Sequence, residues 1–168
     1  VYPDAVVAPD IDETPRRDEL PRLLAQRLAR AKADAAASAD ALVLTADTVV
    51  ACGRRSLPKA DTVEQARACL DLLSGRRHRV LTCVVVTAPG GRRVERIAES
   101  VVGFARLSGV QTRAYLEAGE WRGKAGGYAI QGLAAAHIRF LSGSYSNVVG
   151  LPLFETAQVL RGLGFPLP

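Results

Sequence analysis

The sequence predicts an α/β fold in which a mixed β-sheet is flanked by helices. Three observations point there. Segments with helical and strand periodicity alternate irregularly along the 168 residues, which argues against a doubly wound parallel sheet. Two apolar runs, 78–87 and 94–104, are joined by Pro89-Gly90-Gly91, the pattern of an antiparallel hairpin. Two capping boxes, Thr62-x-x-Gln65 and Ser108-x-x-Gln111, mark helix starts.

In chain order, Ala5-Val6-Val7-Ala8 reads as a short strand, followed by the acidic turn Asp10-Ile11-Asp12-Glu13. A helix spans about 18–37, with Asp18 as its candidate cap and Pro21 tolerated in the first turn. Its apolar stripe is Leu20, Leu24, Leu28, Ala31 and Ala35. Lys32 falls one position off that stripe, at the edge between core and solvent, where a long side chain can lie along apolar surface and present its ammonium to a neighbouring cleft. Residues 41–50 are a β-prone apolar run holding one carboxylate, Asp47, and 51–60 form a loop carrying Lys59. The helix opened by Thr62 runs to about Leu73 on an apolar face of Val63, Ala66, Leu70 and Leu73, and Ser74-Gly75 ends it. After the hairpin, the helix opened by Ser108 stops near Gly119. A loop over 120–127 carries Lys124, a short strand precedes Ile130-Gln131-Gly132, and 134–141 reads as a further strand. Residues 142–147 are a polar loop; the last helix opens at 150–153, with Pro152 in its first turn and Gly162 near its end.

The balance of 48% hydrophobic and 23% charged residues fits one domain, or one domain with two lobes, built on a sizeable core. No apolar run approaches the ~18 residues of a transmembrane helix, and no charged and then apolar leader is visible. Cys52, Cys69 and Cys83 are odd in number and lack metal-ligand spacing, so reduced thiols in a cytoplasmic protein are expected. His78 and His137 lie far apart, which argues against a zinc site. The net charge of +5 points to a polyanionic ligand. With 5% aromatic residues and no basic tail, a small phosphorylated ligand fits better than a nucleic acid. G-x-S-x-G, G-x-G-x-x-G and the Walker spacing are absent, which removes support for acyl transfer and dinucleotide redox chemistry. The chain begins at Val1 and contains no Met, so a preceding segment is expected.

Only Lys32, Lys59 and Lys124 are lysines among 22 Lys and Arg residues. A compact ammonium kept where Arg is the default cation marks a possible site, although exposed lysines are ordinary. Asp47 in an apolar strand is either a turn-capping residue at the strand end or a general base or metal ligand, with the Thr48 hydroxyl beside it. Glu13 belongs either to an acidic surface turn or to a set of oxygen ligands for a hard cation. Lys124 stands among glycines that permit close approach of a ligand. The loop 142–147 either caps a helix or offers hydroxyls and N–H groups to an anion.

Seven segments together resemble the Maf proteins, a family of nucleoside triphosphate pyrophosphatases. In order they are Asp10-Ile-Asp-Glu13, Arg27-Leu-Ala-Arg-Ala-Lys-Ala33, Ala46-Asp-Thr-Val49, Leu57-Pro-Lys59, Leu73-Ser-Gly-Arg76, Lys124-Ala-Gly-Gly-Tyr-Ala-Ile-Gln-Gly132 and Gly143-Ser-Tyr-Ser-Asn-Val-Val-Gly-Leu-Pro-Leu153. The resemblance implies a bent mixed sheet with two lobes and a central cleft, like inosine triphosphate pyrophosphatases. It implies hydrolysis of a nucleoside triphosphate to monophosphate and pyrophosphate with a divalent cation, Mg²⁺ or Mn²⁺. Asp47 would accept the proton of water, Glu13 and Asp47 would hold the metal, and Lys59 would serve the chemistry. Lys32 and Lys59 would contact phosphates, with Lys124 in the same cleft. Thr48 and Gln131 match positions tied to base choice. Their A-D-T and I-Q-G settings resemble the dTTP/UTP subgroup, whereas a sibling subgroup for 7-methylguanosine triphosphate carries S-D-Q and S-E-G. A homodimer and a housecleaning role that extends to modified pyrimidine nucleotides are implied as well. The family's opening strand and S-x-S-x-R-R loop are not seen, and Thr14-Pro-Arg-Arg follows Glu13, in the wrong order to supply them. A nucleotide-binding regulator of cell division without turnover is the competing reading; a nucleic-acid-binding module rests on charge alone.

Overall fold

The computed structural model describes residues 2–167. Its elements run α1 (Pro21–Ala35), β1 (Val43–Cys52), β2 (Arg55–Leu57), α2 (Val63–Leu73), β3 (Arg77–Thr87), β4 (Arg93–Phe104), α3 (Gly109–Ala118), a 3-10 turn (Leu133–His137), β5 (Ile138–Ser142), α4 (Tyr145–Val149) and α5 (Leu153–Gly162). The strands form one sheet in the order β2-β1-β3-β4-β5. The α/β class holds, and every pairing in the sheet is antiparallel.

β3 is the central strand. Val80, Leu81, Val84, Val85 and Val86 are fully buried, and each valine contributes on the order of 2 kcal/mol of burial energy. Because side chains alternate, the two faces of β3 build different cores. Cys83 and Val85 pack with Val49 against Leu24, Ala25, Leu28 and Ala29 of α1. Val80 packs on the other face with Val50, α2, Phe104 and Tyr115, and Val84 and Val86 pack there with Val159 and Leu160 of α5.

β2 pairs only with the Val50–Cys52 end of β1. On that side the preceding stretch of β1, which includes Asp47 and Thr48, has no strand partner among the described residues. Its other edge is fully paired with β3, which places Asp47 opposite Cys83 and Thr48 opposite Thr82. Asp47 therefore belongs to the α1 face and Thr48 to the opposite one.

Both capping boxes form as expected, at Thr62 and at Ser108, and the β3–β4 hairpin turns through Gly90 and Gly91, both at positive φ. Several expectations are corrected. Residues 5–8 form no strand; Val6 and Val7 are exposed and gain no packing there. Asp18 does not cap α1. Leu20 holds that position without a side-chain bond, and Glu19 instead accepts the Arg16 N–H and pairs with Arg27. The stretch 51–60 is not all loop, because Gly53 at φ 62 turns β1 into β2. No strand precedes Ile130; the chain there is held by isolated bridges, Lys59 with Ala125 and Ala60 with Arg122. The expected strand over 134–141 begins as a 3-10 turn and becomes β5 only at Ile138. The polar loop 142–147 runs into α4, capped by Ser144.

Candidate active site

A cleft of about 250 Å³ opens beside the unpaired edge of β1. Lys32, Asp47, Thr48, Lys59, Lys124 and Gln131 all line it. Glu13, the remaining candidate, is tied to two of them: its Oε1 pairs with Lys32 Nζ at 2.8 Å and its Oε2 with Lys59 Nζ at 2.5 Å. Every site residue expected from the sequence is thus gathered at one place.

The wall on the α1 face is ionic. Lys32 projects from the last turn of α1, and its ammonium also hydrogen-bonds Asp47 Oδ1. One ammonium thus bridges two carboxylates. Burial of Asp47 pushes its carboxyl above the usual carboxylate range against the opposing pull of Lys32. Burial likewise acts to lower Lys32, but the carboxylates of Asp47 and Glu13 outweigh it and leave the ammonium held more firmly. Burial acts to raise Glu13, and the bonds from Lys32 and Lys59 more than offset it.

Lys59 and Lys124 are brought together by loop pairing. Ala60 N–H donates to the Lys124 carbonyl at 3.2 Å, and Gly126 N–H donates to the Pro58 carbonyl at 3.0 Å. A Cβ on Gly126 would stand 2.8 Å from Val50 Cγ1, at φ +69, so only glycine lets this loop lie so close to β1.

The wall on the opposite face is neutral. Thr48 Oγ1 lies 2.9 Å from Thr82 Oγ1 and 3.5 Å from the Gly150 carbonyl, and Thr82 Oγ1 lies 3.1 Å from the Asn147 carbonyl. A hydroxyl has one proton. If Thr82 gives its proton to the Asn147 backbone carbonyl, Thr48 gives its own to Thr82 and meets the cleft as an acceptor; if Thr82 gives it to Thr48, the Thr48 proton can turn to the Gly150 carbonyl or to a ligand in the cleft. Asn147, fully buried, donates from Nδ2 to the Val80 carbonyl at 3.0 Å and to Ser100 Oγ at 2.9 Å, which fixes α4 and the cleft-lining Val148 and Val149. Tyr128 also lines the cleft, and its hydroxyl shares a 2.8 Å hydrogen bond with His78 Nε2. Burial alone lowers His78 to about 4.

Tyr128, His78, Thr82 and Asn147 were not singled out by sequence reasoning. Tyr128 and Asn147 sit inside family-matching segments, which is the one signal that could have found them. A wider groove of about 620 Å³ runs along α1 past Arg27 and Arg30. Both guanidiniums there are engaged in bidentate bonds to Glu19 and Glu95, so it reads as a solvated, internally paired face.

The donor set suits a hard divalent cation. No group of three or more His, Cys, Asp or Glu residues placed to hold a metal ion occurs among the described residues. Glu13 and Asp47 already flank one positive charge, the Lys32 ammonium. Two carboxylates, completed by water and substrate oxygens, match the way Mg²⁺ is held at phosphate sites. No helix among the described residues is long and apolar enough to cross a membrane.

A family model described as Maf-like protein matches residues 2–163. The chain is 63% identical over 181 residues to a dTTP/UTP pyrophosphatase of Granulibacter bethesdensis, covering 98% of this chain and 85% of that protein. It is 63% identical over 169 residues to a dTTP/UTP pyrophosphatase of Gluconobacter oxydans, covering 96% and 78%. A protein of the same description from Rhodospirillum rubrum is 57% identical over 167 residues, covering 98% and 80%.

Proposed function

The chain belongs to the Maf-like protein family, and from that premise we propose that it hydrolyses dTTP and UTP to the monophosphate and pyrophosphate. The observation that carries the reading is the buried Asp47, held by Lys32 at the rim of a cleft that all three lysines border.

Asp47 acts as the base. A carboxylate whose burial raises its proton affinity is better matched to take a proton from water than an exposed one. As the water oxygen bonds to the α-phosphorus, its proton passes to Asp47. The bond from the α-phosphorus to its bridging oxygen breaks, and pyrophosphate leaves with the electron pair. Lys32, Lys59 and Lys124 offset charge on the phosphates and on the leaving group. Lys32 also keeps Asp47 oriented before substrate arrives. Glu13 and Asp47 would hold Mg²⁺ or Mn²⁺, which supplies Lewis-acid stabilisation of phosphoryl oxygens when bound.

Base choice falls to the neutral wall. Thymine and uracil present an N3–H donor between two carbonyl acceptors. The Thr48 hydroxyl can accept from that donor, and the Gln131 carboxamide can donate to a carbonyl. The same contacts serve modified pyrimidine nucleotides, which fits a role in cleansing the nucleotide pool. The free thiols Cys52, Cys69 and Cys83 support a reducing, cytoplasmic setting.

A pyrophosphate-release assay on dTTP with Mg²⁺ tests the mechanism. Asp47→Asn should lose about 10²–10⁴-fold in kcat while its circular-dichroism melt keeps a single cooperative transition. An Asp47→Asn protein of wild-type activity would remove Asp47 from the chemistry. A wild-type chain that binds dTTP saturably without releasing pyrophosphate would instead favour a binding-only regulator.

A further inference from the structure

Glu120, in the turn after α3, plays no part in the mechanism above. Its carboxylate reaches the segment that carries Gln131, where Oε2 accepts the Leu133 N–H at 2.7 Å. Leu133 opens the 3-10 turn, and the first amides of a helical turn have no partner within it. Glu120 supplies that partner, as a charged acceptor.

Gly132 shows how closely the contact is fitted. Its backbone, at φ −106 and ψ −153, is extended and open to any residue. A Cβ added there would nevertheless stand 2.0 Å from Glu120 Oε2 and 2.7 Å from Glu120 Cδ. The atoms that a methyl at Gly132 would meet therefore all belong to the Glu120 carboxyl group, the far end of a flexible side chain that the methyl would displace.

The segment 128–132 belongs to no helix or strand. Side chains from outside hold it. The Tyr115 hydroxyl accepts the Ala129 N–H at 3.1 Å on one side of Gln131, and Glu120 holds the Leu133 amide on the other. Gln131 itself lines the cleft and, among the described residues, makes no side-chain hydrogen bond within the protein. Its side chain is carried by a backbone that these two bonds hold on either side.

We propose that Glu120 is a positioning residue for base selection: by pinning the backbone at Gly132–Leu133 it fixes the direction in which Gln131 presents its carboxamide to the pyrimidine. This rests on the base-reading role of Gln131 given above.

The experiment compares kcat/KM for dTTP with that for dGTP in the full chain, together with amide exchange at Leu133. Glu120→Ala should lower the dTTP preference about tenfold and speed Leu133 exchange, as expected for loss of a charge-assisted hydrogen bond. Gly132→Ala should do the same, because its methyl displaces the carboxylate. The double variant should be no worse than either single one, since both remove one contact. Glu120→Gln, which keeps an acceptor oxygen, should stay within about threefold of wild type. Additive losses in the double variant, or an unchanged preference in Glu120→Ala while Gln131→Ala loses it, would overturn the brace alone. An unchanged preference in Gln131→Ala would overturn the base-reading role and the brace with it.

Discussion

Asp47 and Thr48 are neighbours in sequence, yet they serve opposite faces of the sheet. On the face of Asp47, the groups bordering the cleft are joined by ion pairs: Glu13, Lys32 and Asp47, with Lys59 at the end. On the face of Thr48 they are joined by neutral hydrogen bonds through Thr82, Asn147 and Ser100. The physics of the two walls differs accordingly. Ionic attraction is long-ranged, tolerant of geometry and weakened by salt. A buried neutral network is short-ranged and directional, and it is costly to leave half-made. The first suits a triphosphate whatever its base; the second suits one arrangement of donors and acceptors. A single strand with an unpaired edge delivers both, because its alternation sends consecutive residues to different walls.

The largest effect should come from the ionic wall. Lys32→Ala should lower kcat/KM by about 10²-fold, equally for dTTP, UTP and dGTP in steady-state assays. A change in base preference instead would break the division of labour between the walls. Next comes the neutral wall, where Asn147→Ala removes the Nδ2 bonds to the Val80 carbonyl and to Ser100 Oγ, which keeps only its bonds with Ser144. It should cost about 2–4 kcal/mol of stability in a urea titration. A cost near zero would mean that the network is not what holds α4.

The smallest effect is a pH dependence. His78, 2% exposed, is lowered by burial from 6.5 to about 4. Between those values the unfolded chain carries the proton and the folded chain does not. Stability therefore declines as pH falls through that window, by about 2 kcal/mol between pH 7 and pH 5. His78→Phe should flatten the slope in denaturant titrations at the two pH values. An unflattened slope would assign the acid sensitivity elsewhere.

What could be read from the sequence was what depends on near neighbours. The capping boxes at Thr62 and Ser108, the Gly90-Gly91 turn and the lone carboxylate of β1 each carry their reason within a few residues. The site residues were legible because they lie in family-matching segments, and the fold gathers them from stretches far apart in the chain. The Ala134-Ala135-Ala136 run resembled a strand because periodicity cannot register that the Glu120 carboxylate holds the Leu133 amide. Asp18 had the chemistry of a cap, but Glu19 took the local donors through its pairing with Arg27. β2 was missed because a three-residue strand has too little pattern to read. Thr82, Asn147 and His78 were illegible for a deeper reason: their partners lie between 34 and 67 residues away in the chain.

The three lysines border one cleft, and the sequence holds no others. Apart from two histidines, every other basic side chain is a guanidinium, which amine-directed chemistry passes over. Isotope-labelled lysine would therefore give three side-chain ammonium resonances, all from the cleft. An acylating reagent, applied with and without nucleotide, would footprint it directly. In most proteins such signals are scattered over the surface; in this one, composition has already assigned them.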